Sequence, residues 1–93
     1  MTSPKGTMLV SGRRRDTGSP LEQALDTATG LKAGSWASVE ALSMLSIEAR
    51  GRPEAETLHE SALDASTGLS SGTWESVRAL AWLARAGREA REA

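Results

Sequence analysis

Shifted by 38 residues, the chain overlies itself: residues 22–50 align without a gap on 60–88, and 15 of those 29 positions are identical. A self-similarity with a period of about 20 to 50 residues marks architectures in which one supersecondary unit is stacked on the next. The identical pairs include Glu22/Glu60, Leu25/Leu63, Asp26/Asp64, Gly30/Gly68, Leu31/Leu69, Gly34/Gly72, Trp36/Trp74, Val39/Val77, Leu42/Leu80 and Leu45/Leu83. A chain of 93 residues that builds this unit twice has room for little else.

Each copy reads as helix, tight turn, helix. In the first, Ser19 stands as an N-cap before Pro20 at the first helical position, and Glu22 is spaced to close a capping box. Leu21, Ala24, Leu25 and Ala28 then recur at helical spacing. Gly30 is placed to stop that helix in the left-handed conformation, with Leu31 making the apolar contact that accompanies such a stop. Ser35 caps a second helix that opens at Trp36, carries the stripe Val39, Leu42 and Leu45, and ends at Gly51. Pro53 starts a third helix, with Leu58, Ala62 and Leu63 inward. Gly68 stops it, and Thr73 replaces Ser35 as the cap of a fourth helix bearing Trp74, Val77, Leu80 and Leu83. The expected fold is therefore all-α, two tandem αα-hairpins forming a four-helix bundle or a short repeat stack. The helical domain spans 20–93, with repeat one at about 20–52 and repeat two at about 53–88.

The repeated residues sort into packing positions and backbone positions, and neither class is a catalytic constellation. Trp36 and Trp74 are expected to fold back over their turns into the core. Asp26 and Asp64 each precede a threonine, Thr29 and Thr67, by three residues, the spacing of neighbours on a helix surface. Positions that break the repeat are the better guide to contacts with other molecules. Met44 answers to Trp82 and Ile47 to Arg85, and Met44, Ile47 and Trp82 lie off the main stripes. They give helices two and four a second apolar face, read either as extra core or as an interface.

Residues 1–19 contrast with the repeat. They are rich in Ser, Thr, Gly and Arg and read as a disordered basic arm carrying Arg13, Arg14 and Arg15. The whole chain has a net charge of -1, so no overall basic bias draws it to nucleic acid or membrane. Cysteine is absent, which excludes disulfides and thiolate metal sites, and His59 is the only histidine. No apolar run approaches the length that spans a bilayer, and the basic N-terminus lacks the apolar stretch of a secretory signal. The expectation is a cytoplasmic, non-enzymatic protein with no cofactor and no metal. Asp16-Thr17-Gly18 matches the triplet of aspartic proteases over three residues only, in front of a helix start, and is set aside.

The two hairpins, with small residues at Ala24, Ala28, Ala41, Ala62 and Ala79 where helices cross and large ones filling the grooves, resemble α-hairpin repeats of the tetratricopeptide or HEAT-like kind. The resemblance covers about 20–88 and implies binding of proteins or peptides. The Ala, Arg and Glu usage resembles that of proteins from GC-rich bacteria. Two units make only a shallow groove, which turns the expectation toward self-association as a dimer.

The function expected from the sequence is therefore protein–protein interaction or assembly, through Met44, Ile47 and Trp82 with the arm Arg13 to Arg15 as a second contact. One alternative is DNA binding by the arm together with the cations of helix four, Arg78, Arg85, Arg88 and Arg91. Another is a fragment of a longer array, because Gly87-Arg88-Glu89-Ala90-Arg91-Glu92 echoes Gly51-Arg52-Pro53-Glu54-Ala55-Glu56, where the first unit passes into the next helix.

Overall fold

Helix starts fall where a side-chain hydroxyl can take up the backbone N–H groups that a first turn leaves unpaired. Ser19 Oγ accepts from the Glu22 N–H at 3.2 Å and opens α1 (Pro20–Thr29). Ser35 Oγ accepts from the Ser38 N–H and opens α2 (Trp36–Glu48), while the Ser38 hydroxyl accepts in return from the Ser35 N–H. Thr73 and Ser76 repeat that reciprocal pair at the head of α4 (Trp74–Glu92). α3 (Glu54–Thr67) has no side-chain cap and starts instead from the fixed backbone of Pro53. The structure, a computed structural model, describes residues 19–92, and among them there are four helices and no strand. The fold class is all-α.

The helix stops differ from the expected ones in conformation. Gly30 and Gly68 do end their helices, but at φ -97° and φ -94°, outside the left-handed region. Each donates instead to a carbonyl three residues back, Thr27 and Ala65, a tightening of the last turn. Among the described residues the positive-φ glycines are Gly51, at 91° after α2, and Gly72, at 140° before α4. Leu31, expected to pack behind the first stop, is 70% exposed. The segment that echoes the α2–α3 junction is not a junction, because α4 runs through Gly87 to Glu92 without a break. Glu89 stands there where the earlier copy has Pro53.

The fold divides after Gly30, with α1 in one unit and α2, α3 and α4 in the other. Leu25 is the buried residue of α1, and Ala24 is exposed. In the second unit α2 is the central helix: it packs against both α3 and α4, which meet each other more sparingly. The core there joins Val39, Ala62, Ala79 and Leu83, with Trp36, Leu42, Ala65 and Leu69 packed around it. Among fully buried side chains, Val39, Ser43 and Ser76 are the largest. Of the alanines expected where helices cross, Ala62 and Ala79 are fully buried, Ala28 is half-buried, and Ala24 and Ala41 are exposed. Ser43 and Ser46 can be buried because their hydroxyls donate to their own helix, to the Val39 and Ser43 carbonyls. The inward face of α2 is thus Val39, Ser43 and Ser46 more than the expected Val39, Leu42 and Leu45.

Candidate functional site

Residues that are identical in the two copies differ in burial. On α2, Val39 is fully buried, and Trp36 and Leu42 are half-buried against the core. Their counterparts on α4 are open: Trp74 is 84% exposed, Val77 53% and Leu80 40%. Trp74, Val77, Ala81 and Ala84 recur at three- and four-residue spacing, with Leu80 alongside, and all are exposed, so they form one apolar stripe along α4. The expectation that Trp74, Val77 and Leu80 belong to the core is therefore corrected. Of the four apolar positions expected on this helix, only Leu83 is buried. Leu63, expected inward on α3, is also exposed.

The cause is position in the packing. The inward side of α2 is covered by the two later helices, α3 and α4. α4 turns a different side inward, that of Ser76, Ala79, Leu83 and Ala86. On α2 the counterparts of those four are Ser38, Ala41, Leu45 and Glu48, and there Ala41 and Glu48 are exposed and Ser38 and Leu45 half-buried. The second unit therefore has two complementary open sides. α4 shows the side that α2 buries, and α2 shows part of the side that α4 buries, with Ala41 and Glu48 exposed and Ser38 and Leu45 half-buried.

Polar contacts keep the same register. Trp36 Nε1 donates to the Ser70 carbonyl at 2.9 Å, tying the start of α2 to the loop before α4. Arg78 Nε donates to Glu40 Oε2 at 2.6 Å, and these two residues occupy the same position of the two copies. An exposed pair of this kind contributes about 0 to 1 kcal/mol, so it serves register more than stability. Arg50 pairs with Glu89 at the other end of the same two helices.

The residues singled out for breaking the repeat are spread over several settings. Met44 is exposed on the open side of α2. Ile47 is half-buried and lines an open groove of about 460 Å³ shared with Arg50, His59, Leu63 and Glu89. Trp82 is half-buried, with the Arg85 guanidinium 5.6 Å from its ring centroid. Arg13, Arg14 and Arg15 lie outside the described residues, as does the Asp16–Gly18 triplet. Thr29 and Thr67 donate to the backbone carbonyls of Asp26 and Asp64, leaving both aspartates exposed on helix surfaces. The imidazole of His59 lies over Gly87, 3.6 Å from where a Cβ would stand. Among the described residues no group of three or more His, Cys, Asp or Glu side chains could hold a metal ion. None of the helices there is long and apolar enough to cross a membrane.

The α4 stripe is what reasoning from the sequence missed. Trp74, Val77 and Leu80 are repeated, and repetition read as packing. The available signal was the order of the helices: a stripe that later helices cover on α2 has no later helix to cover it on α4 among the described residues. Comparison with known proteins finds no match, neither a protein family nor a curated protein nor a solved structure.

Proposed function

We propose that the chain is a non-enzymatic protein-interaction and assembly module whose contact surface is the open side of α4. The observation that carries this reading is the stripe Trp74, Val77 and Leu80, three large apolar side chains exposed on one helix. Exposed apolar clusters of this kind, with a tryptophan among them, are characteristic of protein interfaces. The composition of the core supports the same reading. Its buried side chains are mostly alanine, serine and leucine with one valine, so a small chain gains stability from any surface that covers more of its apolar area. The resemblance to α-hairpin repeats, which bind proteins, points the same way. A chain without cysteine suits a cytoplasmic setting.

A photo-reactive amino acid placed at position 77, with a control at the exposed position of Glu56 on α3, tests the reading. After irradiation in cells, covalent protein adducts are expected from position 77 and not from position 56. Equal yields from the two positions would overturn the assignment of the surface.

A further inference from the structure

We propose that the occupant of the α4 stripe is a second copy of the same chain, joined head to tail. The open side of its α2 seats on the open side of α4, and the contact between α2 and α4 within one chain is repeated between chains. This inference rests on the interaction reading above and names its partner.

Three observations carry it. The first is continuity of packing. α4 presents Trp74, Val77 and Leu80, the counterparts of Trp36, Val39 and Leu42, which this fold covers with α3 and α4. α2 presents the exposed Ala41 and the half-buried Leu45, the counterparts of Ala79 and Leu83, which this fold places in the core. Leu31, 70% exposed, is the counterpart of Leu69, which packs against that core. These six residues thus have identical counterparts in this chain that lie in or against its core, while Glu48 answers to the buried Ala86.

The second observation is charge. α2 carries Glu40 and Glu48 and no cation, whereas α4 carries four arginines against Glu75, Glu89 and Glu92, and its middle, from Ser76 to Arg88, carries Arg78, Arg85 and Arg88 and no acid. Opposite charges favour α4 against α2 and disfavour α4 against α4. In the head-to-tail register Arg78 of one copy faces Glu40 of the next, so the pair seen within the chain recurs between chains.

The third is a hydrogen bond. The indole N–H of Trp36 is satisfied by the carbonyl of Ser70, and the position 38 residues before Ser70 is Lys32. A second copy supplies its Lys32 carbonyl, in an exposed loop, to Trp74. A contact between two different sides of the same molecule is heterologous and extends into rings or open chains instead of stopping at a symmetric dimer.

The test uses the full chain and two charge insertions at exposed residues, Val77→Glu on α4 and Ala41→Glu on α2. Sedimentation from about 5 to about 500 µM covers the affinity of an interface at the small end of the specific range. The wild type is expected to grow beyond a dimer as concentration rises. Each variant alone stays monomeric. Their equimolar mixture forms a dimer and nothing larger, because each retains the one side that the other lacks. Circular dichroism checks that both variants keep wild-type helicity, and Val77→Gln with Ala41→Gln replaces them if either unfolds. A monomeric wild type at every concentration overturns the proposal. So does a mixture that fails to associate, which would indicate a symmetric contact. If position 77 then still captures a different protein on irradiation, the interaction reading stands while self-assembly falls. If it captures none, both fall.

Discussion

Ser76 does more than its one hydroxyl suggests. It is 1% exposed, and its oxygen accepts from the Gly72 and Thr73 N–H groups and donates to the Thr73 carbonyl. Its backbone N–H in turn donates to the Thr73 hydroxyl. That knot holds the chain as it comes out of Gly72, whose φ of 140° a side chain would strain. Ser38 makes the reciprocal cap on α2 but is only half-buried. Removing a cap costs about 0.5 to 2 kcal/mol, and the loss is expected at the upper end where the hydroxyl is buried and accepts from two N–H groups. Ser76→Ala is therefore expected to lose about 2 kcal/mol in urea unfolding, and Ser38→Ala about 0.5 to 1 kcal/mol. Equal losses would show that burial of the knot is unimportant. The capping hydroxyls of Ser19, Ser35 and Thr73 were legible in the sequence because a cap needs only its own neighbours. The return partners Ser38 and Ser76 were also there to read as a repeated pair three residues on. Serine closes the box at that position, where glutamate or glutamine is the common residue. The left-handed stops were misplaced to Gly30 and Gly68 for a different reason: a glycine permits positive φ without requiring it.

At the scale of elements, α2 and α4 show how far a sequence pattern determines burial. Both helices carry Trp, Val, Leu and Leu at the same spacing, and both form helices for the same local reasons. Their environments differ because burial is set by what lies across from a helix, and that information is not local. Hence the helices and their order could be read in advance, while the side that α2 turns inward, Val39 with Ser43 and Ser46, and the open side of α4 could not. Met44, Ile47 and Trp82 attracted attention as departures from the repeat, yet the largest exposed apolar side chain is the repeated Trp74. The two tryptophans turn this contrast into a measurement. Trp36→Ala removes a ring packed on the core and a hydrogen bond to the Ser70 carbonyl, and it is expected to destabilise the chain by about 2 to 3 kcal/mol, less than a fully buried ring would. Trp74→Ala at low protein concentration is expected to stay within about 0.5 kcal/mol of wild type, as surface substitutions do. A Trp74→Ala variant as unstable as Trp36→Ala would place that side chain in the core after all.

For the molecule as a whole, a small core and an open apolar stripe are two sides of one energetic situation. Val39 heads the fully buried side chains and the rest of the buried set is largely alanine, serine and leucine, while a tryptophan, a valine and a leucine stand in solvent on α4. Burying apolar surface is worth about 25 cal/mol per Å², so covering the stripe would add stability to the chain. Association that requires the folded state raises stability by mass action, by about 2.7 kcal/mol when the partner is at 100 times its dissociation constant. For a domain of this size each kcal/mol moves the melting midpoint by about 4 to 8 °C. If the second copy is the partner, the melting midpoint of the wild-type chain must climb as its own concentration is raised. Val77→Glu, which keeps the fold and loses the contact, must melt at one temperature at every concentration and match the dilute wild type. A wild-type midpoint that ignores concentration would mean the stripe contributes nothing to this chain on its own, and that the stabilising surface belongs to a different protein.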